Sequence, residues 1–213
     1  MKAGAWVLLA VLLVYASGCG GGSGSGANTG NIQIQTVRFS PKNVSVVAGS
    51  TVTFMNVDAQ QHQVFSGTLD PQGSPAVVHL ITIANTQFVP PAVEANLGDT
   101  IRFSNASQVV FPLQIVDDNG QVVGSFTIPI GNSQDVIFPG AGQFIYRSQS
   151  ASVIPGTITL FGRPHPSNVF QSPILNNSAT FSVRFNNVGV VPFYDLNLNE
   201  PNKSFMTGTV SVN

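Results

Sequence analysis

The sequence predicts an all-β fold of the sandwich or barrel type on three observations. Apolar and polar residues alternate in short runs, no segment after residue 30 keeps a helical period, and the runs recur at a fixed spacing. The first run, Ile32-Gln33-Ile34-Gln35, puts both isoleucines on one face, as a half-buried strand does. Ser40-Pro41 then turns the chain, Val44-Ser45-Val46 alternates, Ala48-Gly49 turns it again, and Thr51-Val52-Thr53-Phe54 resumes the alternation. Further on, apolar runs at 113–116 and 122–123 flank Asp117-Asp118-Asn119-Gly120. Two carboxylates and an amide oxygen suit calcium, but Asn-Gly between apolar runs is first a hairpin turn, and that reading is adopted.

The repeat has an offset of 49 residues. Ile34, Phe39, Pro41, Val44, Gly49, Thr51, Phe54 and Asn56 align with Ile83, Phe88, Pro90, Val93, Gly98, Thr100, Phe103 and Asn105, eight identities in 23 ungapped positions. A later pair of segments also aligns. Phe138, Gly142, Phe144 and Tyr146 match Phe185, Gly189, Phe193 and Tyr194 with one residue of slippage, and Gly156-Thr157-Ile158 matches Gly208-Thr209-Val210. The pieces therefore run opening half, opening half, closing half, closing half. This order predicts a discontinuous host domain, residues 31–76 plus 164–213, interrupted by an inserted domain at 77–163, because neither flanking piece is long enough to bury a sandwich core alone.

The start of the chain reads as an address. Lys2 precedes an apolar run from Ala5 to Ala16, a secretory signal pattern over residues 1–18. Ala16-Ser17-Gly18-Cys19 resembles the lipobox of bacterial lipoproteins, which implies that Cys19 is lipidated and that residues 19–30 form a Gly/Ser tether. The expected location is the bacterial cell envelope, anchored to a membrane by lipid and facing the periplasm or exterior. Cys19 is the sole cysteine, so the folded part has neither a disulfide nor a thiolate to offer a metal. A net charge of −1, with only 8% charged residues, argues against nucleic acid as a partner. Fifteen phenylalanines in a chain 43% hydrophobic argue against disorder.

Phe39-Ser-Pro41, Val44-Ser-Val46, Gly49-Ser-Thr51-Val52-Thr-Phe54, Asn56-Val-Asp58 and His62-Gln-Val64 together resemble the opening half of a plastocyanin-like cupredoxin. Thr180-Phe181-Ser-Val183-Arg-Phe185, Gly189, Pro192-Phe193-Tyr194 and Met206-Thr-Gly208-Thr209-Val210 resemble its closing half. The resemblance implies an eight-stranded Greek-key sandwich for each of the two domains. It also implies a copper site at one end, made of a histidine from the opening half and a cysteine, a histidine and a methionine from the closing loop. His62 matches the first histidine and Met206 the methionine, but Asp195 stands where the cysteine belongs and Leu198 where the second histidine belongs. In the inserted domain the region of the first histidine reads Gln108-Val-Val-Phe-Pro112, and Arg147 takes the cysteine position after Tyr146. Type 1 copper depends on thiolate covalency, which a carboxylate does not supply.

His62, Asp195 and Met206 are thus a vestigial or weak metal site at most. His79 reads as a solvated or packed residue, and His165, between Pro164 and Pro166, as part of a returning linker. Phe111, Phe126, Phe144, Tyr146, Phe193 and Phe205 read as core rather than as an exposed binding surface. No nucleophile elbow, zinc helix or phosphate loop is present, so an enzyme is not expected. The expectation is a non-catalytic, copper-free binding or structural module, with an envelope protein or a glycan as partner. The alternatives are a copper-binding or electron-transfer protein with a divergent site around His62 and Met206, and an adhesin-like module with an immunoglobulin-type sandwich.

Overall fold

The computed structural model describes residues 29–73, 75–149 and 153–213; the expected signal segment (1–18), Cys19 and most of the expected tether lie outside them. In chain order the strands are β1 (Thr29–Gln35), β2 (Arg38–Ser40), β3 (Asn43–Val46), β4 (Ser50–Asn56), β5 (Val64–Asp70), β6 (Val78–Ile83), β7 (Phe88–Val89), β8 (Ala92–Asn96) and β9 (Thr100–Asn105). They continue as β10 (Phe111–Asp117), β11 (Val122–Ile128), β12 (Ser133–Ile137), β13 (Gly142–Ser148), β14 (Gly156–Phe161), β15 (Arg163–Gln171), β16 (Thr180–Phe185), β17 (Gly189–Asp195) and β18 (Thr207–Val212). No helix occurs among the described residues.

Four sheets result. Those ordered β16-β4-β1-β2 and β15-β5-β17-β18-β3 use residues 29–70 and 163–212, and those ordered β12-β9-β6-β7 and β11-β10-β13-β14-β8 use residues 78–161. The outer and inner sets share one plan. In each, the first strand runs parallel to the fourth, β1 with β4 and β6 with β9, and the last runs parallel to the third, β18 with β3 and β14 with β8. Each set has nine strands rather than the eight expected, because one strand is split at a proline. Pro41 and Pro90 have no N–H for the ladder, so β2 stays with β1 while β3 crosses to β18, and β7 and β8 divide in the same way.

Each set has its own core. Ile32, Phe39, Phe54, Phe193 and Val210 are buried in the outer one, and Ile81, Phe88, Phe103, Tyr146 and Ile158 in the inner one. Phe193 meets Phe39 and Phe54 edge-on at 4.8 and 5.1 Å; Tyr146 meets Phe88 and Phe103 at 4.7 and 5.3 Å. Phe111 and Phe144 are buried as well, whereas Phe126 and Phe205 are only partly so.

The packing corrects the alignment of the closing strands. A Cβ on Gly208 would run into the Phe193 ring and one on Gly156 into the Tyr146 ring, so Tyr146 is the counterpart of Phe193, not of Tyr194. Pairing across the sheets agrees, since Val64 faces Asp195 and Leu113 faces Ser148. The inner counterpart of Asp195 is therefore Ser148, not Arg147. A slip of one residue exchanges the two faces of a strand. Arg147 lies on the exposed face and donates to Gln114 Oε1 at 2.9 and 2.6 Å, while Ser148 is buried.

His165 is not in a linker. It lies in β15, an edge strand whose two prolines are tolerated because it pairs on one side only, and its Nδ1 is 2.7 Å from Asp70 Oδ2. Asp117-Asp118-Asn119-Gly120 is a hairpin turn, with Asp117 Oδ1 accepting from the N–H groups of Asn119 and Gln121. The tip of that turn also joins the two sets: Arg38 donates to the Asp118 carbonyl at 2.8 Å, and Lys42 pairs with the buried Asp118 carboxylate at 3.4 Å. Phe161 packs edge-on against Phe205 at 5.6 Å, and Gly162 and Ser204 exchange backbone hydrogen bonds.

Where the inner set closes β10 and β11 with this short turn, the outer set carries residues 71–162 between β5 and β15, whose ends Asp70 and Arg163 face one another. Replacing residues 71–162 with an Asn-Gly turn is expected to leave an outer sandwich that unfolds cooperatively, at a lower temperature because the Asp118 and Phe161 contacts are gone. Circular dichroism during heating checks this, and a non-cooperative melt would count against an independent outer unit.

Candidate functional site

One end of the outer sandwich gathers the residues the sequence singles out. Asn56, at the end of β4, is fully buried; its Nδ2 donates to the carbonyls of Gln60 (2.6 Å) and Leu175 (2.9 Å), and its Oδ1 accepts from the Asp58 N–H (3.0 Å). These bonds curl residues 56–60 into a tight loop. His62 follows, fixed by two backbone hydrogen bonds with Leu175, so its ring is directed inward. Asn105 makes the same bonds in the inner set, to the carbonyls of Val109 and Ile128 and from the Ser107 N–H. The repeated asparagine is thus the scaffold of this loop in both copies.

The side chains it presents differ. In the outer set His62 Nδ1 is 2.8 Å from Asp195 Oδ2, and Nε2 is 3.2 and 3.1 Å from the two oxygens of Asp58. Asp195 Oδ1 accepts from the Gln63 N–H at 3.1 Å. His62 and Asp195 are 3% and 9% exposed, so the ring spans two carboxylates largely out of water. Burial alone would push the imidazole down, but the hydrogen bonds and charges of Asp195 and Asp58 outweigh it and raise its pKa above 6.5. Burial pushes the Asp195 carboxyl up, against the pull of His62. Both directions mean that the cluster holds its proton tightly. With a carboxylate oxygen within 3.2 Å of each ring nitrogen, the raised pKa favours the imidazolium, in which both nitrogens donate to carboxylates. The equivalent inner positions hold Phe111, Ser107 and Ser148.

Met206 completes the set by position. It is buried, and its carbonyl accepts from the Asp195 N–H at 3.1 Å. His62, Asp195 and Met206 line one open cleft of ≈ 550 Å³, to which residues 196–199, Gln60 and Phe205 contribute. Asp58 is the member that the resemblance did not supply. Its signal was its place four residues before His62 and two after the repeated asparagine. His79 lies elsewhere, in the inner set, 2.9 Å from Asp99.

The donor set does not fit copper held as the resemblance implies. A metal needs a ring lone pair, and both nitrogens of His62 are turned to carboxylates; it also needs a thiolate, where Asp195 stands. No group of three histidine, cysteine or acidic side chains among the described residues is arranged to hold a metal ion.

No protein-family model matches the chain, and no curated protein matches it. Solved structures to which it is similar include cupredoxins and copper enzymes. An oxidised amicyanin variant is 15% identical, over 46% of this chain and 97% of its own, with a TM-score of 0.35. Auracyanin from the photosynthetic bacterium Roseiflexus castenholzii is 14% identical, over 41% and 98%, with a TM-score of 0.33. The copper-containing nitrite reductase of Thermus scotoductus is 10% identical, over 87% and 99%, with a TM-score of 0.29.

Two outcomes follow from the cluster. Asp195→Ala leaves a buried imidazolium short of a partner and is expected to cost about 3–5 kcal/mol in denaturant unfolding, whereas the triple change Asp58→Ser, His62→Phe, Asp195→Ser, which copies the inner set, is expected to cost far less. Because the folded pKa of His62 lies above 6.5, the stabilisation is complete below that pH and is lost as the pH rises through the folded value; Asp195, raised above 3.8, weakens stability in the same direction at lower pH. Melting temperatures measured upward from pH 6.5 should fall in the parent protein and lose that slope in the triple variant.

Proposed function

We propose that this chain is a copper-free, cupredoxin-like lipoprotein of the bacterial envelope that acts as a non-catalytic binding or structural module. The observation that carries the proposal is the engagement of both ring nitrogens of His62 by Asp58 and Asp195. A proton shared with two carboxylates does at this end what a metal ion does elsewhere: it ties the loop after β4 to the end of β17. The Cys19 lipobox and the Gly/Ser stretch after it support attachment to a membrane. The absence of a recognisable nucleophile or phosphate motif supports a role without chemistry of its own. In this reading residues 77–163 are an inserted domain, residues 31–76 and 164–213 are its host, and the host carries the site.

The test is titration of residues 27–213 with Cu(II) and Cu(I) beside His62→Ala. Neither ion is expected to bind tightly, and no strong absorption near 600 nm is expected, because that band needs a thiolate. Stoichiometric binding abolished by His62→Ala would favour a copper-binding or electron-transfer protein built on His62 and Met206. Cys19→Ala should move the full chain from the membrane fraction to the soluble one; an unchanged distribution would rule out lipidation as the anchor.

A further inference from the structure

We infer that the cleft above the His62 cluster is a binding site for a neutral saccharide, an inference that rests on the reading of the chain as a copper-free binding module. Its ≈ 550 Å³ lies within the range of ligand-binding clefts, roughly 300–1,000 Å³. No lysine or arginine lines it. His62 and Asp195 line it, and Asp58 holds the other ring nitrogen from outside it; one imidazole between two carboxylates leaves a net negative charge at the floor, which disfavours phosphates, sulfates and uronic acids. The walls combine what hydroxyl recognition needs. The side-chain amides of Gln60 and Asn199 face solvent without a partner among the described residues, and each offers a donor and an acceptor to neighbouring hydroxyls. Leu198 and Phe205 supply apolar surface for the C–H face of a sugar ring. Asp195, with one oxygen held by Gln63 and the other by His62, keeps further lone pairs for a hydroxyl proton.

The inner set is an internal control. It has the same strand plan and the same buried asparagine, yet where the outer set has Gln60, Gln61, His62 and Asp195 it has Val109, Val110, Phe111 and Ser148. Val109 and Val110 are 62% and 52% exposed. The scaffold therefore forms without amides or buried charge at this end. A buried ion cluster that the same strand plan does without, where the inner set has one phenylalanine and two serines, points to a task at the surface above it.

The experiment is 15N–1H NMR of residues 27–213, which retain every described strand, in metal-free buffer with maltotriose, cellotriose, chitotriose and mannotriose. At least one should give saturable shifts confined to residues 196–199 and the side-chain amides of Gln60 and Asn199. Gln60→Ala with Asn199→Ala, both on exposed side chains, should weaken that binding about tenfold. Trigalacturonate and a capped trialanine peptide should give no shifts. The inference is overturned if all four sugars fail, if the shifts map away from the cleft, or if the charged sugar or the peptide binds equally well. A copper titration of the same sample keeps the two readings apart: sugar binding together with tight copper binding overturns only the copper-free reading, and failure of the sugars without copper binding overturns only this inference.

Discussion

The hydrogen-bonded chain Asp58–His62–Asp195 is the interaction on which this end of the molecule depends. With a single imidazole it joins the loop between β4 and β5, which carries both Asp58 and His62, to the end of β17, 133 residues further along the chain. A ring with a carboxylate on each nitrogen is over-determined: it cannot rotate without leaving a buried charge unpaired, and each carboxylate is in turn held by a backbone N–H. Asp58 accepts from Gln60 and Asp195 from Gln63, so the cluster and the loops position one another.

The two copies of the scaffold separate what the fold needs from what the site adds. Both keep the edge-on aromatic triad, the glycine beneath its central ring and the loop-closing asparagine. Those are the features that specify the sandwich, because each fits a geometry that few other residues satisfy. Only the outer copy places titratable groups at the end of the sandwich where the chain of hydrogen bonds runs. The inner copy fills the histidine position with Phe111, which meets Phe88 at 5.6 Å.

Much of this was legible in the sequence, for physical reasons that also mark where legibility stopped. Alternation in runs such as 32–35 and 51–54 reports burial of one face directly, so the all-β class followed from it. His62 and Asp195 came from a resemblance, and no periodicity would have joined residues 133 apart in sequence. Asp58 carries no such signal, because a carboxylate two residues after a strand is also what an ordinary turn has. The register error at Arg147 arose from Phe193-Tyr194, adjacent aromatics that offer an alignment two equally plausible partners for Tyr146. The glycine facing each ring and the pairing across the sheets distinguish them. His165 misled because proline on both sides signals a loop, whereas an edge strand accepts proline on its unpaired side.

The parallel pairing of β1 with β4 has a mechanical consequence. β1 enters at Thr29, opposite Thr51, and reaches Ile34 opposite Asn56, so the chain joins the sandwich about 20 Å from the cleft, at the other end of a seven-residue strand. A pull on Thr29 directed away from the cleft drags β1 along its neighbours rather than peeling it from them. The ladder hydrogen bonds then bear the load together instead of breaking one at a time. A protein held by its N-terminal end while its far end grips something would be loaded in its stronger direction.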